Sequence, residues 1–121
     1  MLLGRGALDS VRILSPRTVD FMTRNYLPGG ADIKEFGRPV GPDLAFAGVG
    51  QGLGMSVVVD PVRAGGLTSP GEFGWGGAAS TLFWVDPQLD LTFVFLTQLI
   101  PSVALPIRPQ LHQLVHQAII D

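Results

Sequence analysis

Residues 72–98 read EFGWGGAASTLFWVDPQLDLTFVFLTQ, and this stretch decides the fold. Two runs rich in β-branched and aromatic residues, 81–85 and 91–96, flank an Asp-Pro turn signal at Asp86. This pattern predicts an antiparallel hairpin. The glycines of the preceding segment, residues 74–77, allow a backbone or a ligand to approach closely. The stretch therefore predicts a strand with little side-chain bulk at its end, followed by a hairpin.

Outward from the hairpin, the chain predicts an α+β fold with an antiparallel sheet and a C-terminal helix packed on one face. Strands are expected near residues 52–60, 71–78, 80–86 and 90–98. The helix is expected over residues 109–120. Its apolar stripe, which should pack against the sheet, contains Ile107, Leu111, Leu114, Val115, Ala118 and Ile119. The length of 121 residues fits a single domain over residues 1–121.

An N-terminal helix is predicted to start at Ser15, which can cap it, with Pro16 at the first helical position. The Pro-Gly-Gly sequence at residues 28–30 should end it. Its inward positions at helical spacing are Val19, Met22 and Tyr26.

Residues 28–50 lack periodicity and predict a loop. Lys34, Glu35 and Arg38 are its concentrated charges and are expected to be solvated. The glycine-rich residues 48–54 match neither a dinucleotide fingerprint nor a Walker loop, so they are interpreted as the approach to the strand near 52–60.

Composition narrows the function classes. Hydrophobic residues make up 46% and charged residues 15%, so much apolar surface must be buried or face a partner. The net charge of −2 argues against nucleic acid. The absence of cysteine removes disulfides and thiol nucleophiles. No apolar run spans a bilayer and no signal peptide is evident in this chain, which favours a cytoplasmic location.

The strand near 90–98 is apolar on both sides. Leu91, Phe93 and Phe95 point to one face, whereas Val94 and Leu96 point to the other. The C-terminal helix can cover only one face. The second face should drive self-association if the chain folds alone.

The Gly-Trp-Gly-Gly-Ala sequence at residues 74–78, followed by Phe-Trp-Val-Asp-Pro at residues 83–87, resembles the third motif region of serine β-lactamase-related hydrolases. The branch it is most similar to is esterase-like and related to class C β-lactamases and penicillin-binding proteins. Most members have Lys-Thr-Gly or His-Thr-Gly there, and several esterase-like members have Trp-Gly-Gly. The resemblance spans nearly the whole chain but matches only the C-terminal portion of such a hydrolase domain. It implies a partial β-lactamase/transpeptidase-like fold.

The resemblance also implies a site. Trp75, Gly76 and Gly77 would line one wall of the substrate cleft, and Ala78 would offer its backbone N–H as an oxyanion-hole donor. Such a donor lowers the activation barrier by on the order of 3 kcal/mol. Without a Lys or His at position 75, neutral esters are favoured over β-lactams. The alternative is that Trp75 is a core aromatic residue beside tightly packed glycines.

The residues that would perform the chemistry are absent. No serine is followed three residues later by lysine, and Tyr26, the only tyrosine, lacks the family's Tyr-x-Asn context. The chain alone is therefore expected to be inactive, to need no cofactor, and to meet a small ester or lactam-type substrate only when an N-terminal part completes it. The alternative is a stand-alone, non-catalytic domain that works by association.

Two further groups of polar residues are given structural roles. His112 and His116 have the spacing of metal ligands, but no third ligand is evident, so solvated histidines and no metal are predicted. Asp86 and Asp90 are predicted to form the hairpin turn.

Overall fold

The computed structural model describes residues 1–37 and 46–120, so Arg38 lies outside the described residues. The described strands are β1 (Ala7–Leu8), β2 (Val11–Arg12), β3 (Val49–Gln51), β4 (Ser56–Val58), β5 (Phe73–Gly76), β6 (Leu82–Asp86) and β7 (Leu91–Phe95). The helices are α1 (Pro16–Met22), α2 (Ile33–Phe36), α3 (Pro61–Ala64) and α4 (Ile107–Gln117), with a 3-10 turn at Pro28–Gly30.

Strands β3 to β7 form one antiparallel sheet in chain order, and β1 and β2 form a separate ribbon. The α+β class and the hairpin are confirmed. The hairpin turn is held by Asp86, whose Oδ1 accepts from the N–H groups of Gln88 at 2.9 Å and Leu89 at 3.2 Å. Asp90 follows with a φ of +50°. Both aspartates therefore form the turn, as predicted.

The strand predicted near 52–60 is shorter than expected, because the glycine-rich segment is itself part of the sheet. Strand β3 pairs with β4 through a tight turn in which the Gly52 N–H donates to the Met55 carbonyl at 2.8 Å. Gly50 is needed for close packing, since a Cβ there would lie 2.4 Å from Cγ of Asn25. The glycines thus serve a hairpin that the prediction missed.

The N-terminal helix starts as predicted and ends earlier. The Oγ of Ser15 accepts from the Thr18 N–H at 3.0 Å, which confirms the cap. The helix ends at Met22 because the chain turns to the sheet, where the Tyr26 N–H donates to the Gln51 carbonyl at 2.9 Å. The predicted loop over 28–50 was partly wrong. Helix α2 lies within it, held by a capping box between Asp32 and Glu35.

The five-stranded sheet has two faces that differ in their cover. We call the side of the sheet that α4 covers the helix face. By strand alternation and register, its residues are Glu72, Gly74, Gly76, Leu82, Trp84, Asp86 and Phe93. The opposite face carries Val57, Phe73, Trp75, Phe83, Val85 and Val94. Part of the opposite face holds the main core, in which Met55, Val57, Phe73 and Val85 pack with Leu2, Leu3, Met22 and Phe83.

Helix α4 covers the helix face, but the predicted apolar stripe is only partly buried: Ile107, Leu111 and Val115 are half-buried, and Ala118 and Ile119 are exposed. The residues turned to the sheet are Arg108, His112 and His116, which are half-buried or buried, whereas Leu114 of the stripe is 56% exposed. The prediction missed this polar row because it took the sheet surface to be apolar. Glu72 and Asp86 make it acidic, and the histidine row pairs with them.

The opposite face is covered on one side only. Trp75 is 50% exposed, Val94 60% and Leu96 79%, although Phe73 and Val85 on the same face are buried. An apolar strip across β5, β6 and β7 is thus left open among the described residues. None of the described helices is long and apolar enough to cross a membrane.

Candidate functional site

The glycine-rich end of β5 has an open edge. Strand β5 pairs with β6 from Phe73 to Gly76, but β4 reaches only as far as Gly74. Beyond Gly74, no described strand covers the second edge of β5. Gly74 itself is required by the sheet, because a Cβ would lie 2.2 Å from the Phe83 carbonyl oxygen.

Gly76 and Gly77 have close contacts within the chain. A Cβ on Gly76 would lie 2.8 to 3.0 Å from the guanidinium of Arg108. That guanidinium donates to the Gly77 carbonyl at 2.6 Å, and a Cβ on Gly77 would meet Thr81 Oγ1 at 2.5 Å. These contacts are made by side-chain ends, and the Arg108 guanidinium can move, so they favour glycine at both positions without requiring it.

Trp75 is not a core aromatic residue. It pairs with Phe83, which in turn pairs with Val94, so its side chain lies on the opposite face of the sheet in the open strip. Half of its surface is exposed. Among the described residues, Trp75 is therefore not part of a core.

Ala78 follows β5 at the start of a short turn. The neighbouring N–H groups are used, because Gly77 donates to the Thr81 carbonyl at 2.8 Å and Ser80 to the Gly77 carbonyl at 3.2 Å. Within residues 1–37 and 46–120, the Ala78 N–H donates to no atom, and the residue is exposed. A donor is thus free next to the open edge of β5.

A cavity of about 640 Å³ lies between α4 and the sheet. It touches the backbone of β5 and is bordered by side chains from α4 and from the helix face. The polar residues among them are Gln51, Ser56, Thr68, Glu72, Arg108, His112 and Gln113. The cavity is lined by Trp75 and Gly76 of the predicted wall, although the Trp75 side chain lies on the opposite face of the sheet.

Glu72, His112 and His116 form a compact cluster between the sheet and α4, and Glu72 and His112 also line this cavity. His112 Nε2 lies 2.8 Å from Glu72 Oε1, and His116 Nε2 lies 3.1 Å from Glu72 Oε2. The ligand atoms of the three residues are all within 4.8 Å of one another. His116 is 8% exposed, so the prediction that both histidines are solvated was wrong.

Aromatic packing fixes the two imidazoles. The rings of His112 and His116 stack with centroids 4.1 Å apart, and the Trp84 ring lies 5.0 Å from His112 and 6.0 Å from His116. Trp84 is in turn stacked on Phe93 at 4.0 Å. The cluster therefore packs against aromatic side chains of β6 and β7.

Another buried carboxylate, Asp32, has hydrogen-bond donors at both of its oxygens. It accepts from the Gly48 N–H at 2.8 Å and the Glu35 N–H at 2.7 Å, and pairs with Arg63 at 2.9 Å. The Gly48 N–H is the main cause that lowers the pKa of Asp32, with Glu35 and Arg63 acting in the same direction against burial. Asp32 ties α2, β3 and α3 together. It has the pattern of a structural carboxylate.

Sequence reasoning missed Glu72 as a site residue. It lies 40 positions from His112, and a single glutamate before a strand carries no recognisable spacing. The histidine spacing at 112 and 116 was noticed, but its third partner becomes visible only when β5 and α4 are packed together.

The comparisons with known proteins add relatives without a stated activity. No family model matches the chain. Two proteins of Mycobacterium tuberculosis, Uncharacterized protein MT1414 from strain CDC 1551 and Protein Rv1367c from strain H37Rv, are each 38% identical over 108 residues. The match covers 86% of this chain and 26% of each relative. The chain thus spans about a quarter of the length of these curated relatives.

Proposed function

We propose that the chain is the C-terminal part of a β-lactamase-like serine hydrolase that cleaves esters or amides through an acyl-enzyme. In this proposal Trp75, Gly76 and Gly77 line one wall of the cleft, and Ala78 supplies one oxyanion donor. The observation that carries the proposal is the free N–H of Ala78 beside a strand edge that β4 leaves uncovered. A preorganised N–H of this kind stabilises the developing oxyanion.

The open strip of the opposite face supports this proposal. Trp75, Val94 and Leu96 expose apolar surface next to the Ala78 turn. A group of exposed apolar side chains such as this supports a contact surface in this proposal. The occupant we propose is the portion of the hydrolase that carries the serine nucleophile and its base, because neither residue is present in this chain.

The substrate class follows from position 75. A tryptophan offers no charge to a substrate carboxylate, so we propose small neutral esters as the preferred substrates. About three quarters of the length of the two M. tuberculosis relatives lies outside the matched segment. A catalytic portion of this size could complete the cleft.

The test uses a chimera in which this chain replaces the matched segment of Protein Rv1367c. The chimera should hydrolyse p-nitrophenyl butyrate faster than nitrocefin, and the 121-residue chain alone should hydrolyse neither. Ala78→Pro removes the N–H and should lower kcat by about 10²- to 10³-fold. Ala78→Ser keeps the N–H and should retain most of the activity.

Two results contradict the proposal. One is equal activity of the Ala78→Pro and Ala78→Ser chimeras when both are folded. The other is turnover by the chain alone that a serine-directed inhibitor abolishes.

A second candidate function is a stand-alone, non-catalytic domain that works by association. The same open strip favours it, since an exposed Trp75 needs no enzyme to explain it. A folded chimera that contains both portions in one chain, yet hydrolyses no ester, would favour this candidate.

A further inference from the structure

We propose that Glu72, His112 and His116 bind a zinc ion that fastens α4 to the helix face of the sheet. The zinc site does not depend on the proposed hydrolase function, because none of its three ligands is a residue of the proposed cleft wall. Two imidazoles and one carboxylate are a ligand set that zinc accepts.

The distances fit a single ion. In a tetrahedral zinc site with bonds of about 2.0 to 2.1 Å, neighbouring ligand atoms lie about 3.3 Å apart. Here the two nitrogen-to-oxygen separations are 2.8 Å for His112 with Glu72 and 3.1 Å for His116 with Glu72. Four-residue spacing on α4 places both histidines on one face of the helix. The three ligand atoms already lie within 4.8 Å of one another, and they would draw closer together around the ion.

The hydrogen bond of His116 defines which nitrogen is available. Its Nδ1 lies 2.9 Å from the His112 carbonyl oxygen, which can only accept, so Nδ1 carries the proton. In the neutral ring, Nε2 then presents its lone pair to Glu72 Oε2 at 3.1 Å and to Asp86 Oδ2 at 3.9 Å. A lone pair facing two carboxylate oxygens is repelled, and either a proton on Nε2 or a metal cation between the groups removes this repulsion. An Nδ1–H bonded to a backbone carbonyl is also the usual support of a metal-bound histidine.

Unpartnered polar atoms point to the same place. Glu72 Oε2, Asp86 Oδ2 and His116 Nε2 are buried and have no hydrogen-bond partner within the described residues. Buried polar atoms without partners are rare in native proteins. All three atoms lie in or beside the cluster. A single ion would bind Glu72 Oε2 and His116 Nε2 directly and attract Asp86 Oδ2.

The charges balance with a divalent ion. Glu72 and Asp86 are both buried, with side chains 7% and 0% exposed, and together carry two negative charges. Uncompensated buried charge is strongly unfavourable. Arg108, one turn before His112 on α4, donates to the Gly77 carbonyl and forms no ion pair with either carboxylate within the described residues. A doubly charged ion bound to neutral histidines compensates both carboxylates, and a water beside the half-buried His112 completes the fourth position.

The test is calorimetric titration of the 121-residue protein with zinc chloride, together with thermal unfolding before and after addition of a chelator. The wild-type protein should bind one zinc ion per chain and unfold at a higher temperature with zinc. Glu72→Gln and His112→Gln should each weaken binding by tenfold or more. Glu35→Gln changes the only other glutamate in the chain and should leave binding unchanged.

Cobalt provides a measurement that does not depend on stability. Cobalt chloride bound by two histidines and a carboxylate should give visible absorption in the wild-type protein and in Glu35→Gln, and much less in His112→Gln. His112 is partly exposed, so this variant should fold even if Glu72→Gln does not. Absence of zinc binding to the folded wild-type protein would overturn the proposal, as would equal affinities in His112→Gln and Glu35→Gln.

Discussion

The two faces of the five-stranded sheet reverse the usual arrangement of polar and apolar residues. The helix face is covered, yet it buries Glu72, Asp86 and His116. The opposite face is apolar, yet it leaves Trp75 and Val94 exposed. Polar residues that are buried and apolar residues that are not both need an explanation in terms of binding. The difference agrees with the two proposals, an ion between α4 and the helix face and a protein partner on the opposite face.

The opposite face is itself divided, and the largest expected effect tests that division. Phe73 is buried in the covered part, so Phe73→Ala should lower the free energy of unfolding by about 4 kcal/mol. Val94 lies in the open strip, so Val94→Ala should change it by less than about 0.5 kcal/mol. Urea unfolding measures both. Similar losses in the two variants would mean that the strip is covered within the chain.

Asp32 extends the comparison, because this buried carboxylate accepts hydrogen bonds at both oxygens, whereas Glu72 Oε2 and Asp86 Oδ2 accept none within the described residues. The Gly48 N–H is the main cause that lowers the pKa of Asp32 in the folded state. In an unfolded chain the pKa of an aspartate is about 3.9. As the pH falls, the unfolded state therefore takes up a proton before the folded state does. The stabilisation is complete above the unfolded-state pKa and is lost as the pH falls through the folded-state pKa. Asp32→Asn should therefore lose stability at neutral pH and show a flatter decline in acid.

The control for this experiment is Asp20→Asn, which breaks only an exposed ion pair with Arg5. Its acid unfolding curve should follow that of the wild-type protein. Zinc should not restore the stability of Asp32→Asn, since Asp32 is not part of the histidine cluster. Parallel acid curves for Asp32→Asn and the wild-type protein would contradict the structural role of this carboxylate.

A smaller effect is expected from the helix whose Met22 packs on the covered part of the opposite face. Ser15 caps α1 through the Thr18 N–H at 3.0 Å, so Ser15→Ala should cost about 1 kcal/mol. Ser69→Ala, at a serine outside any helix, serves as the matched control and should cost less. Thermal unfolding distinguishes the two variants, and equal midpoints would argue against the cap.

The smallest effect on stability belongs to the open strip, where the readout is association. Val94→Lys combined with Leu96→Lys should leave the free energy of unfolding within about 0.5 kcal/mol. In sedimentation velocity, the wild-type chain should self-associate and the double variant should shift to monomer. Val62→Lys, at a 90% exposed position on α3, is the control and should associate like the wild type. A sharply monomeric wild-type chain would contradict this prediction.

The sequence predicted those parts of the fold that depend on local patterns. The hairpin of β6 and β7 followed from alternation and an Asp-Pro turn, and the start of α1 followed from Ser15 and Pro16. The glycines before β4 misled the prediction, because a three-residue strand whose central residue is glycine has little periodicity. Short strands of this kind are defined by their neighbours rather than by their own side chains.

The orientation of α4 could not be predicted from its own residues. Its apolar stripe suggested one buried side, but the choice depends on what the sheet offers, and the sheet offers Glu72 and Asp86. The candidate metal cluster was missed for the same reason, since Glu72 and His112 meet only in the packed structure. Trp75 and Ala78 were found through a family resemblance, and the hydrolase function remains a proposal.

The contrast between the two faces depends most on the buried cluster of Glu72, His112 and His116. Crystals of the 121-residue protein grown with zinc chloride can be measured at the zinc absorption edge. The account predicts one anomalous peak about 2.1 Å from the Nε2 atoms of His112 and His116, with Glu72 as the third ligand. The absence of a peak between the three side chains, while they keep the positions described, would contradict it.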